Sequence, residues 1–119
     1  GAGEFRGGLG LNLEFEMLED TFITTVVERT KFPPWGIKDG CTGRANNVEV
    51  NQKKGKKFNM PKKSGFKLSK GDKITFMTGG GGGYGNPKNR NISSIKNDLK
   101  QEYISVEHIK EFYKFFPYN

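Results

Sequence analysis

Of the 119 residues one is Cys, one is His and one is Trp, and each scarcity closes off a class of protein. Cys41 alone cannot form an internal disulfide, and one thiol with one imidazole, His108, cannot complete a structural zinc site. Hydrophobic residues make up 33% of the chain, against about 45–50% in an average globular domain. No apolar run nears the roughly 20 residues of a helical membrane span, so membrane spans are excluded, as are collagen and coiled coils. Gly1-Ala2-Gly3-Glu4 lacks the charged-then-apolar pattern of an export signal, and a cytoplasmic location is expected. The chain opens on Gly rather than Met, which fits a piece of a longer polypeptide or a processed chain.

What is present is glycine, lysine and phenylalanine. The 10 Phe, 4 Tyr and 1 Trp argue against disorder, since each aromatic can bury roughly 150–250 Å². The net charge of +7 is concentrated between Asn51 and Lys73, where nine Lys face one acid, Asp72. Clustered lysines can supply the phosphate contacts of a nucleic-acid interface. This segment has no Arg for bidentate contacts, however, and only Phe58 and Phe66 as interleaved aromatics. A solvated hairpin is the preferred reading; a basic module binding nucleic acid or an acidic partner through Lys53–Lys73 is the alternative.

Period-two alternation places Leu11, Leu13, Phe15 and Met17 on one face of a strand. The β-branched run from Thr21 to Thr30 is a second strand, and a turn at Glu19-Asp20 suggests that the two form an antiparallel hairpin. Pro33 and Pro34 remove two ladder donors and begin an ordered loop that contains Gly36, Gly40 and Gly43. Short strands follow around Val48 and Val50, Phe58 and Met60, Phe66 and Leu68, and Lys73–Thr78, separated by turns at Lys53–Gly55 and Ser69–Asp72. The period then becomes helical. Asn91 can cap a helix bearing Ile92, Ile95 and Leu99, and Ser105 can cap a second with Val106, Ile109, Phe112, Tyr113 and Phe116 on one stripe, stopped by Pro117. The expected fold is α+β and mainly β: one domain with an antiparallel β-sandwich or barrel-like body over residues 1–78, a Gly-rich loop over 79–90 and two short helices in a tail over 91–119.

The candidates for chemistry are few. Gly79–Gly83, followed by Tyr84 and Gly85, could expose backbone N–H groups as an anion nest, and it formally matches G-x-G-x-x-G. Any glycine run satisfies that pattern, no Lys-Ser/Thr follows, and Pro87 prevents an immediate helix. Flat backbone packed against a neighbouring strand or subunit is the preferred reading. Arg6 and Arg29, each beside loop-forming sequence, are candidate anion clamps, with salt bridges to Glu28 or Asp39 as the structural alternative. The candidate substrate- or anion-binding set is therefore Arg6, Arg29, Gly80, Gly81, Gly82, Gly83 and Tyr84, with no metal ligand and no assigned catalytic residue. His108 reads as a structural histidine, and Cys41 has no nearby His to activate it.

Four segments in order carry a resemblance: Gly1–Gly10, Arg29-Thr30-Lys31-Phe32-Pro33-Pro34-Trp35-Gly36, Lys70-Gly71-Asp72-Lys73-Ile74, and Gly79–Pro87. With the closing stretch Tyr103–Tyr113 they resemble the C-terminal part of the hydantoinase B / 5-oxoprolinase family. The sequence departs from that pattern at Asn86, where Asp is usual, and at Glu4, where a basic residue is common. The resemblance implies an ATP-dependent cyclic-amide hydrolase in which an A-type subunit uses ATP and Mg²⁺ to phosphorylate the lactam or imide oxygen. The B-type part then completes ring opening of 5-oxoproline or a hydantoin; related members act on ketones. It implies a divalent metal held by His and Asp residues upstream of the stretch seen here, and no cofactor in the fragment itself. The partners implied are the remainder of a longer B-type chain and the A-type subunit, and the fragment alone is expected to be inactive. Eleven of the 17 Gly fall within Gly1–Gly10 and Gly79–Gly85, so the surplus is expected to mark surfaces that meet the rest of such an assembly.

Overall fold

The structure is a computed structural model describing residues 1–114. The chain divides into two compact units, neither continuous in sequence: Gly10–Pro33 with Ala45–Gly79, and Gly1–Leu9 with Pro34–Arg44 and the stretch from Gly80 onward.

The first unit is all β. Its strands are β1 (Asn12–Glu16), β2 (Thr21–Val26), β3 (Asn47–Asn51), β4 (Lys57–Asn59), β5 (Lys62–Leu68) and β6 (Lys73–Met77). They form a four-stranded sheet in the order β1-β6-β3-β4 and a two-stranded sheet β2-β5, with every pairing antiparallel. The alternation along β3 turns Val48 and Val50 inward, where they pack with Ile74 of β6, Leu68 of β5 and Met60. One buried cluster thus joins residues of both sheets, an open sandwich rather than a closed barrel. The expected turns are in place. Gln52 N–H donates to the Lys56 carbonyl across Lys53–Gly55 (2.8 Å). In the Ser69–Asp72 turn, the buried Asp72 carboxylate accepts from the amides of Ser69 and Lys53, each at 2.9 Å.

The expected β1–β2 hairpin does not form: β1 pairs with β6, and β2 with β5. Just beyond β1, Met17 N–H donates to the Asp72 carbonyl and the Met17 carbonyl accepts from Gly71, both at 2.8 Å. The ladder with β6 therefore continues past the end of β1. The residues Leu18–Asp20 carry the chain into the other sheet, where Ile23 packs against the core opposite β3. Burial of Ile23 and Thr25 against non-local partners outweighs the local turn.

The second unit is glycine-rich and helical. Helix α1 (Ile92–Lys100) starts at Asn91, whose side chain accepts from Ser93 N–H (2.8 Å). Ile95 and Leu99 face inward, but Ile92 is exposed. Ser105 caps α2 (Val106–His108) as expected, accepting from His108 N–H. The helix then widens into a π-type turn, Ile109–Tyr113, and ends at Lys114 in the left-handed region (φ 51°). Ala2, Ile95, Ile109 and Tyr113 form this unit's buried cluster. Phe116 and Pro117, expected to continue and stop the second helix, lie outside the described residues.

Candidate functional site

Most glycines of the second unit lie against backbone of the same unit. Residues 80–85 run between the 1–8 segment and the 36–43 loop. Gly81 N–H donates to Gly8 (3.0 Å), Gly83 N–H to Cys41 (2.8 Å), Tyr84 N–H to Phe5 (2.9 Å) and Gly85 N–H to Ile37 (3.0 Å). In return the Gly81 carbonyl accepts from the Gly1 nitrogen (2.6 Å). The Gly83 and Tyr84 carbonyls accept from Ile37 and Phe5. The backbones lie so close that a Cβ on Gly82 would overlap the Trp35 carbonyl, and one on Gly83 the Ala2 carbonyl. Only glycine permits this approach. It also engages the N–H groups of Gly81, Gly83, Tyr84 and Gly85 with carbonyls, so these amides are not aimed at an anion. The Tyr84 ring, 42% exposed, has Phe5 at 6.3 Å and the Lys38 ammonium at 5.3 Å from its centroid.

Arg6 belongs to the same unit. Its Nε donates to Asp98 Oδ2 (2.9 Å) and its guanidinium lies 5.4 Å from the Tyr103 ring centroid. The same Oδ2 accepts from Arg90 Nη2 (2.7 Å), and Arg90 Nη1 donates to the Glu4 carbonyl (3.0 Å). Asp98 is buried. The expected ion-pair partners of Arg6 were Glu28 and Asp39; the observed one is Asp98. Its signal was an acid on the inward stripe of α1, beside Ile95 and Leu99, where a carboxylate requires a cation.

Arg29 lies in the β unit. Its backbone is left-handed (φ 54°), a conformation unusual for a non-glycine residue, and it is fixed from both sides. The Arg29 carbonyl accepts from Asn46 N–H, and the Glu28 carbonyl from Asn46 Nδ2, each at 3.0 Å. Arg29 lines a cleft of about 740 Å³ with Glu28, Thr30, Lys31, Phe32, Pro61 and Lys62. Lys62 pairs there with Glu28 (2.7 Å). The cleft thus gathers three cations, Arg29, Lys31 and Lys62, and one acid, Glu28.

The imidazole of His108 is half-buried against Phe112 (4.7 Å between centroids) and Tyr113 (5.8 Å), and burial lowers its pKa. Cys41 packs against the apolar cluster of its unit. Among the described residues no three His, Cys, Asp or Glu side chains come together, so they do not fit the divalent metal that the resemblance implies. The basic segment is laced by carboxylates: Lys57 to Glu49 (3.0 Å), Lys67 to Asp20 (3.3 Å) and Lys73 to Glu14 (2.7 Å), besides Lys62 to Glu28. No helix among the described residues is long and apolar enough to cross a membrane.

The profile of the Hydantoinase B/oxoprolinase family matches residues 1–87, and the chain belongs to that family. An uncharacterised protein of Methanocaldococcus jannaschii is 40% identical over 96% of this chain and 20% of its own length. The B-type subunit of a putative D-/L-hydantoinase from a Pseudomonas species is 28% identical over 88% of this chain and 18% of its own. The crystal structure of the ATP-dependent caprolactamase from Pseudomonas jessenii superposes with a TM-score of 0.78 at 21% identity, over 97% of this chain and 21% of that one. The fold is thus shared, and the chain spans about a fifth of the length of these relatives.

Proposed function

We propose that this chain is a C-terminal domain of the B-type component of an ATP-dependent cyclic-amide hydrolase, working in the cytoplasm with an A-type subunit that uses ATP and Mg²⁺. Phosphorylation of the amide oxygen by that subunit turns a poor electrophile into one that water attacks, while cations stabilise the developing oxyanion. This domain supplies rigid architecture at the edge of that chemistry. Gly80–Gly83, Tyr84 and Arg6 act as scaffold, and Arg29 acts as a cation toward an anionic group. The observation that carries this reading is the glycine lattice, which lies within the family-matched residues and in which the amides of Gly81, Gly83, Tyr84 and Gly85 are bound to carbonyls. ATP, Mg²⁺ and the divalent metal belong, on this reading, to the remainder of the enzyme. The Lys53–Lys73 segment acts as a solvated face rather than a nucleic-acid surface, since Lys57, Lys62, Lys67 and Lys73 are paired with carboxylates.

The test is reconstitution. A complete B-type polypeptide carrying this domain, mixed with its A-type partner and ATP, should open 5-oxoproline, a hydantoin or caprolactam with stoichiometric ADP release. The same polypeptide without the domain, and the domain alone, should not. Turnover by the 119-residue chain alone, or full turnover without it, would overturn the reading.

A further inference from the structure

β1 stands at one end of the four-stranded sheet, with β6 as its strand partner among the described residues. At its two ends the ladder is fixed by Leu11, whose carbonyl accepts from Thr78 N–H, and by Met17, which exchanges bonds with Asp72 and Gly71. In an antiparallel pair the backbone groups of alternate residues face the partner strand. The N–H and C=O groups of Asn12, Glu14 and Glu16 therefore point away from β6, along an open edge.

The side chains of β1 are equally incomplete. Leu13 and Phe15 lie opposite Phe76 and Ile74 of β6, which lie in turn opposite Val48 and Val50 of β3. One apolar face thus crosses three strands. Along it the exposure rises from 0% at Val48 and Val50 and 1% at Ile74 to 47% at Leu13 and 51% at Phe15. The reason is width: strands lie about 4.8 Å apart, and the two-stranded sheet cannot cover all four. No β1 residue enters the buried cluster or its fringe. On the opposite face β1 presents Glu14 and Glu16, of which Glu14 is met by Lys73 from β6 (2.7 Å).

We infer that β1 is a strand-addition site, at which a segment of the longer B-type polypeptide pairs antiparallel or parallel with the open edge. That segment places apolar side chains beside Leu13 and Phe15 and Lys or Arg beside Glu14 and Glu16. The inference rests on the reading of this chain as one domain of such a polypeptide. The relatives, about five times as long, have ample chain to supply the strand. Charge selects against a second copy: β1 paired with β1 would gather Glu14 and Glu16 of both copies on one face, and like charges across strands destabilise a sheet.

The experiment co-expresses this chain with the B-type polypeptide lacking the domain, and measures association by calorimetry and amide exchange by mass spectrometry. The amides of Asn12, Glu14 and Glu16 should become protected on association. Glu14→Pro removes one outward donor and leaves the β6 ladder intact, as Pro is tolerated on an edge. It should weaken association at least tenfold, as should Leu13→Lys with Phe15→Lys, while thermal melting reports the fold of each variant. If the variants misfold, exchange in the unmodified chain decides. Association with those amides still unprotected, or unaffected by folded variants, overturns the strand-addition site and leaves the parent reading standing. No association at all overturns both. Self-association of this chain abolished by Glu14→Pro assigns the edge to a second copy and overturns the inference.

Discussion

Arg90 Nη2 and Asp98 Oδ2 are 2.7 Å apart, with side chains only 10% and 4% exposed. The same carboxylate oxygen binds Arg6, so one buried acid ties the first segment of the chain to α1 and to the loop before it. Removing one partner of a buried pair leaves an uncompensated charge, at a cost of about 3–5 kcal/mol. Asp98→Ala should therefore destabilise this unit by that order in chemical denaturation, with Asp98→Asn intermediate. A change below about 1 kcal/mol would show that the two guanidinium groups are hydrated rather than held.

The glycine lattice makes a sharp contrast testable. A Cβ on Gly83 would overlap the Ala2 carbonyl, whereas a Cβ on Gly8 meets nothing within 4 Å. Gly83→Ala should cost about 3 kcal/mol or more, because backbone rather than a side chain has to move. Gly8→Ala should stay within about 0.5 kcal/mol of the parent. Thermal melts of the two variants check this directly, and equal effects would contradict the packing.

Two hydrogen bonds, from the backbone amides of Ser69 and Lys53, hold the Asp72 carboxyl below its ordinary range. Its contribution to stability is complete above the unfolded value, about 3.9, and is lost as pH falls through the lower folded value. The drop in melting temperature below pH 4 should be shallower in Asp72→Asn. At neutral pH Asp72→Ala should cost about 2–3 kcal/mol, since two amides lose their acceptor.

Burial pushes the His108 imidazole below its usual pKa. The unfolded chain therefore takes up this proton first as pH falls, and stability present above about pH 6.5 declines below it. His108→Phe should remove that slope below about pH 6.5 while keeping the ring contacts with Phe112 and Tyr113. A melting profile unchanged by the substitution would mean that the imidazole is solvated.

Arg29→Ala, placed in the complete enzyme, should lower turnover of a cyclic amide about tenfold or more without shifting the melting temperature by more than a few degrees. Unchanged kinetics would remove the Arg29 cleft from the site. Arg29→Gly is the control for the backbone: it removes the same charge and relieves the left-handed conformation, so it should be the more stable of the two.

Much of the β unit was legible because alternation is a local signal: Val48, Val50, Leu68 and Ile74 are the inward residues that period two indicates. Pairing was not legible. Glu19-Asp20 looks like a hairpin turn, yet β1 joins β6 some 60 residues away, where the continuation of the ladder at Met17 and Asp72 decides the outcome. The caps Asn91 and Ser105 were readable from residue type; the widening of the second helix at Ile109 was not, since nothing in Ile109–Tyr113 breaks the helical pattern. Close backbone approach could be inferred from the glycines, but not that Gly7, Gly36, Gly40, Gly82 and Gly83 approach each other. Arg90 was missed because its meaning depends on Asp98 eight residues later, across a cap.

The glycine lattice also bears on how the chain acquires its structure. Its bonds join residues as far apart as Gly1 and Gly81, so the unit cannot finish closing until most of the sequence is in hand, and loop closure on that scale is entropically slow to nucleate. The β unit, with its short β3–β4 hairpin, can start earlier. During synthesis the bonds that join residues 1–8 to residues 80–85 therefore form only once the latter emerge, whereas the bond from Cys41 to Ala2 is available earlier.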